Sequence, residues 1–191
     1  MIFFPNNSER YMAALRLFIQ KSVLRRGIDP AALRQLRTVY LAEALFTQAD
    51  KNPVDVIRLA DVLLGASVLT LLGRGIRLSV SLSGGGVRLV NRKCLTALLL
   101  SLAAAAQNPA RIRLDAQKNR LLIQTDGIPE PDVLQRLLSA LGGTLLKERI
   151  SGKLLLSLPA HETDQVCDPI ENEWVYLADR FSAVHVFLGM N

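Results

Sequence analysis

Apolar residues three and four apart open the chain: Met12, Leu15, Ile19 and Val23 form one stripe, with Ser8 placed to cap a helix and Gly27 to end it near Arg26. Asp29-Pro30 is a cap followed by proline at the first helical position, so a second helix is predicted to about Ala49. Leu33, Leu36 and Tyr40 lie on its inner face, and Val39, Leu41 and Leu45 widen that surface. Two helices so closely joined form an antiparallel hairpin. A lone hairpin cannot bury both apolar sides, so it needs the rest of the chain or a second copy.

From residue 52 the period changes. Asn52-Pro53 repeats the cap-plus-proline signal and predicts a helix to about Leu72. Ile76, Leu78, Val80 and Leu82 then alternate with Arg77, Ser79 and Ser81, the pattern of a half-buried strand. Ser83-Gly84-Gly85-Gly86 is read as a hairpin turn into a partner strand Val87–Val90. A helix over about Arg92–Ala106, strands Arg111–Ala116 and Arg120–Thr125, a helix over Asp132–Leu141, and strands Thr144–Ile150 and Lys153–Leu158 follow. Residues 53–158 therefore read as helix plus hairpin three times over. The predicted class is α+β: an N-terminal antiparallel helical hairpin (1–51), then a two-layer α/β sandwich (52–160) with a mixed sheet of about six strands and helices on one face. Residues 161–170 read as an exposed linker, Glu171–Arg180 as a helix and Ala183–Leu188 as a strand, in an acidic linker and tail spanning 161–191.

The chain has 191 residues and half of them are hydrophobic, which is enough for a substantial core. Cys94 and Cys167 are the only cysteines, too few for a disulfide framework or a four-thiolate metal site. The net charge of +6 is uneven. Residues 1–51 carry 8 basic and 4 acidic side chains, 52–160 carry 14 and 7, and 161–191 carry 1 and 6. A basic body with an acidic tail suits an acidic partner, whereas basic residues without interleaved aromatics argue against nucleic acid. No segment matches a signal peptide, and the apolar run Leu95–Ala106 is shorter than the ~20 residues a membrane span needs. A cytoplasmic protein with no membrane contact is expected.

The order of elements over residues ~8–160 resembles the cytoplasmic part of sensor histidine kinases, a dimerisation and phosphotransfer hairpin before a GHKL-type ATPase-like sandwich. Arg74-Gly75-Ile76-Arg77-Leu78 resembles the start of that family's first main strand, and Asn91–Ala106 the helix bearing its N-box. Ile123–Glu130 resembles the first glycine box, and Leu141-Gly142-Gly143-Thr144-Leu145 the turn after the last helix. Ser151-Gly152-Lys153 to Leu158-Pro159-Ala160 resembles the closing hairpin. The resemblance implies ATP and Mg²⁺ as ligands, a phosphoacceptor histidine on the first helix, a homodimer, and a receiver domain docked on the hairpin.

The residues depart from each functional box. Register set by Leu95, Leu98 and Leu99 puts Ser101 and Ala105 where the N-box has its asparagines, and a methyl group gives Mg²⁺ no oxygen. Asp126 and Gly127 are the candidate remnants of the first glycine box, if two residues are deleted; an ungapped match instead puts Ile123 at the aspartate position. Only Glu130 to about Gly142 remain for an ATP lid, and a helix uses them. Ser83–Gly86 is read as a β-turn and not a phosphate cradle. The only histidines are His161 and His185, so none lies on the hairpin. Cys94, beside Arg92 and Lys93, reads as a core thiol, and Arg74, Arg77, Arg88 and Arg92 as a cluster or a solvated sheet edge. No catalytic residue, metal or cofactor is assigned. The expected function is a non-catalytic, degenerate kinase-like module for bacterial-type signalling; the alternative is a divergent ATP-binding kinase or ATPase. Met12, Arg16, Ile19 and Gln20 are the candidate partner-binding residues on the hairpin.

Overall fold

The computed structural model describes residues 7–24, 29, 31–33, 35–37, 40–41, 44, 54–148, 153–169, 177 and 182–188. Helix α1 spans Asn7–Leu24. Residues 31–33, 35–37, 40–41 and 44 are helical, and the turn that would join the two helices lies outside the described residues. Leu41 packs into the same apolar cluster as the sandwich.

Strand β1 (Asp55–Arg58) precedes helix α2 (Leu59–Arg74), where the sequence pattern had predicted helix throughout. The reason is pairing: Asp55, Val56, Ile57 and Arg58 lie antiparallel to Val90, Leu89, Arg88 and Val87 of β3 (Val87–Val90). Strand β2 (Leu78–Ser83) does not form the expected hairpin with β3. Gly84 (φ 72°) and Gly86 (φ 107°) take left-handed conformations, and a Cβ on Gly84 would stand 2.3 Å from the Ala116 carbonyl oxygen. The chain turns tightly there and leaves the plane of the main sheet.

Helix α3 (Arg92–Ala105) starts at Asn91, whose side chain accepts a 2.9 Å hydrogen bond from the Cys94 N–H. Strands β4 (Ala110–Ala116) and β5 (Arg120–Thr125), helix α4 (Pro131–Ala140), and strands β6 (Thr144–Glu148) and β7 (Leu154–Pro159) follow close to their predicted bounds. Residues 149–152, the predicted last turn, lie outside the described residues.

Two sheets result where one of about six strands was expected. The larger has five strands in the order β2-β4-β5-β7-β6, with β2 and β4 parallel and the other pairs antiparallel. The smaller is β1-β3-β8, where β8 (His161–Thr163) adds antiparallel to β3. The predicted exposed linker thus begins as a strand, because the unpaired edge of β3 offers it a ladder. Ala183–Leu188 is helix α5, not a strand. Its β-branched residues suit a strand by propensity, but Ala183, Val184, Val186 and Leu188 are buried in the common core, packed on α2 and α3. Of the predicted helix 171–180, only Leu177 is described, and it is helical.

Ile112, Leu114, Leu121, Ile123, Leu156 and Leu158 point from the larger sheet into this core. Helix α3 runs through its middle and is buried without interruption from Cys94 to Ala103. An all-apolar helix is stable only when covered all round, and α2, α4, α5 and the sheet cover it here.

Candidate functional site

The site implied by the sequence lies where α3 meets the loop after β5. Ser101 is buried, and its hydroxyl donates 2.8 Å to the Leu98 carbonyl of its own helix. Ala105 is exposed near the helix end. Five residues, Asp126–Glu130, join β5 to α4. The buried Thr125 hydroxyl accepts from the Gly127 N–H at 3.0 Å and pins the start of this loop. A Cβ on Gly127 would meet the Leu102 carbonyl oxygen at 2.0 Å. The glycine is therefore explained by direct packing of the loop on α3.

Strand parity separates the two candidate remnants. Leu121, Ile123 and Thr125 point to the helices and are buried. Asp126 is exposed and opens to the other side of the sheet. There it accepts from the Arg111 backbone N–H at 3.4 Å and lines a groove of about 280 Å³ with Ser79, Ser81, Arg111, Arg113, Gln124 and Lys153. Asp126 and Gly127 are adjacent in sequence yet serve opposite faces. Sequence reasoning missed this groove, although the alternation along β2, β4 and β5 contains it. Farther along β4 the half-buried Asp115 accepts from the Ser83 hydroxyl at 2.7 Å and from the Gln117 amide at 3.1 Å. These hydrogen bonds, the one from Ser83 foremost, hold its carboxyl below the ordinary carboxylate range.

The four arginines read as a cluster or solvated edge have different fates. Arg88 is 2% exposed. Its guanidinium donates to the carbonyls of Gln117 (2.9 Å), Lys118 (3.3 Å) and Gly85 (3.0 Å) and lies 3.8 Å from the Glu162 carboxylate of β8. It is an internal tie between both sheets, which corrects the solvated reading. Arg92 donates to the carbonyls of Asp168 (3.3 Å) and Pro169 (2.5 Å), while its backbone N–H donates to the Asp55 carboxylate at 2.7 Å. Asp168 also bridges to β1, accepting from the Val56 N–H at 2.6 Å and donating its own N–H to the Val56 carbonyl at 2.8 Å. Arg74 and Arg77 are exposed.

Cys94 is fully buried, and burial first and the nearby Asp55 second push its thiol up to about 12. It stays protonated and is no nucleophile at neutral pH. His161 is exposed on β8. His185 is buried on α5, with Nε2 2.9 Å from the Leu177 carbonyl oxygen. Of the candidate partner residues on α1, Ile19 is fully buried, Gln20 is exposed and Met12 and Arg16 are half-buried. The exposed apolar residues there are Leu17 and Phe18. Among the described residues no helix is long and apolar enough to cross a membrane.

No family model matches the chain, and no curated protein matches it in sequence. Solved structures do match in the course of the chain. The Acinetobacter baumannii histidine kinase AdeS aligns at 14% identity and a TM-score of 0.43, covering 83% of this chain and 96% of its own. The cytoplasmic segment of histidine kinase QseC aligns at 13% identity and 0.40, covering 86% and 99%. The mycobacterial sensor histidine kinase MprB aligns at 12% and 0.40, covering 58% and 99%.

Proposed function

We propose that this chain is a histidine-kinase-like signalling module that binds partners and does not transfer phosphate. The observation that carries the reading is the parity of β5. The inward position that an ungapped match assigns to the adenine-binding aspartate holds Ile123, fully buried, and the remaining carboxylate, Asp126, stands on the other face. Three further features support it. Ala105 offers no oxygen to Mg²⁺ and the Ser101 hydroxyl is already used by Leu98. The five residues between β5 and α4 leave no length for a lid. No histidine occurs before residue 161. ATP and Mg²⁺ do not fit these residues.

The module acts as a homodimer through its N-terminal helices, which carry the apolar surface a second copy would cover, and its partners are signalling proteins such as a receiver domain. The experiment is a thermal-shift titration with ATP, ADP and Mg²⁺, with sedimentation equilibrium for the dimer. A ligand at a hundredfold its Kd would add ~2.7 kcal/mol, roughly 5–10 °C for a chain of this size. The reading predicts no shift; a saturable shift overturns it.

A further inference from the structure

The larger sheet ends on β2, and nothing among the described residues pairs with the outer side of that strand. The Arg77 carbonyl accepts from the Ala110 N–H at 3.0 Å. In a parallel ladder alternate residues bond to the neighbour, so Arg77, Ser79, Ser81 and Ser83 bond toward β4. Leu78, Val80 and Leu82 turn their N–H and C=O groups outward. Edge strands are normally blunted by charge, proline or a bulge. Leu-Ser-Val-Ser-Leu-Ser has no charge and no proline, and its register with β4 is unbroken over six residues.

Beside this edge the open face of the sheet is built for anions. Ser79 pairs with Arg111 and Ser81 with Arg113, about 4.8 Å between strands and about 6.6 Å between successive arginines. Short serines next to long arginines form the groove, which Gln124 and Lys153 extend; its three cations outnumber the one carboxylate, Asp126. A strand added along β2 would lie two strands from β4, within reach of guanidiniums extended over the serines. Its side chains facing the groove would meet cations at the two-residue period of a strand. A second copy pairing through β2 would instead leave two arginine rows three strand spacings apart, about 14 Å, with no carboxylate from either β2 to meet them. No aromatic residue occurs between Val54 and Ala160, so there is no platform on which a nucleobase could stack.

We propose that β2 receives an extended acidic segment of a partner protein as a sixth strand, with Arg111 and Arg113 reaching its carboxylates. This rests on the reading of the chain as a partner-binding module, but not on its failure to bind ATP, which the nucleotide titration tests separately.

The test is fluorescence anisotropy of the full chain with a labelled (Thr-Glu)4 peptide. The proposal requires saturable binding that weakens at higher salt and is absent for (Thr-Lys)4. V80P removes one outward N–H while leaving the β4 ladder whole, and R111Q/R113Q removes the cations. Each should weaken binding at least about tenfold, and R111Q/R113Q should leave the melting curve unchanged. Should V80P fail to fold, (Thr-Glu)4 methylated on alternate backbone nitrogens reports the same hydrogen bonds on the unaltered protein and should bind as weakly. Four outcomes overturn the proposal. They are no saturable binding up to about 1 mM, equal binding of the lysine peptide, affinity untouched by the variants and by methylation, and a dimer or an oligonucleotide complex that V80P abolishes while (Thr-Glu)4 does not bind.

Discussion

Gly73→Ala and Leu188→Ala, made singly and together, test whether α5 docks on α2. A Cβ on Gly73 would stand 2.7 Å from Leu188 Cδ1, 3.0 Å from Cβ and 3.4 Å from Cγ. Gly73 lies in the last turn of α2, where alanine is intrinsically better than glycine by about 0.8–1.0 kcal/mol. Against that gain stands overpacking of the Leu188 side chain, about 1–3 kcal/mol. The single variant should therefore be neutral to about 2 kcal/mol less stable. Leu188 is 1% exposed, so its truncation should cost about 2–5 kcal/mol. Once Cγ and Cδ1 are gone only the 3.0 Å approach to the Leu188 Cβ, which alanine keeps, remains, so Gly73→Ala should be neutral to about 1 kcal/mol stabilising in the Leu188→Ala background. The coupling is then about 1–3 kcal/mol in favour of the double variant. Urea denaturation followed by far-UV circular dichroism reads it, provided the slope of free energy against urea stays constant. Additivity within about 0.5 kcal/mol, or a Gly73→Ala variant that simply gains helix propensity, would refute the packing of the C-terminal segment on the helical layer.

The other predictions concern the loop, the tie and the thiol. Gly127→Ala should cost about 3 kcal/mol and lower the melting temperature by roughly 6–12 °C, because it meets a backbone carbonyl. Gly85→Ala, whose Cβ meets nothing within 4 Å, should melt with the wild type. Arg88→Met should lose about 1–3 kcal/mol and make the segment 161–169 cleavable by a protease at concentrations that leave the parent intact. Cys94 keeps its proton up to about 12 in the folded chain, against 9.0 when unfolded. Its contribution is therefore whole below pH 9 and is lost as pH rises toward 12, about 1.4 kcal/mol per unit. The stability difference between wild type and Cys94→Ala in urea should shrink between about pH 8 and about pH 10; an unchanged difference contradicts the burial.

From residue 92 to 159 the elements were legible because their patterns are unmixed: from Cys94 on α3 is apolar but for Thr96 and Ser101, and β4 alternates strictly over Ala110–Asp115. Legibility failed where a partner distant in sequence decides the structure. Asp55-Val56-Ile57-Arg58 follows Asn52-Pro53 and runs into an apolar helix, so local signals favour helix; only β3 makes it a strand. The Ser83–Gly86 turn suggested the commonest outcome, a hairpin between neighbours, while the positive φ at Gly84 and Gly86 sends β3 to another sheet. Ala183–Leu188 carries strand propensity that docking on α2 and α3 overrides. At the candidate site Ser101 and Ala105 could be read directly from the sequence. The outward position of Asp126 could also have been read, since Leu121, Ile123 and Thr125 point inward and an even-numbered neighbour must point out. Arg88 could not: nothing local shows that a charged residue in Val-Arg-Leu-Val is buried by the β4–β5 turn and by Glu162 of β8.

The clasp of Asp168 on Val56 joins residues 112 positions apart, and β8 reaches β3 across more than seventy. Such pairings raise the contact order, and the loop-closure entropy they demand slows folding. On a ribosome, α3, β4 and β5 can find one another while synthesis continues, but β1 has no second neighbour until Asp168 has emerged. The small sheet is therefore the last part to close, and in a stalled or truncated chain β1 and β3 would each keep one unpaired edge, the template on which misassembly begins.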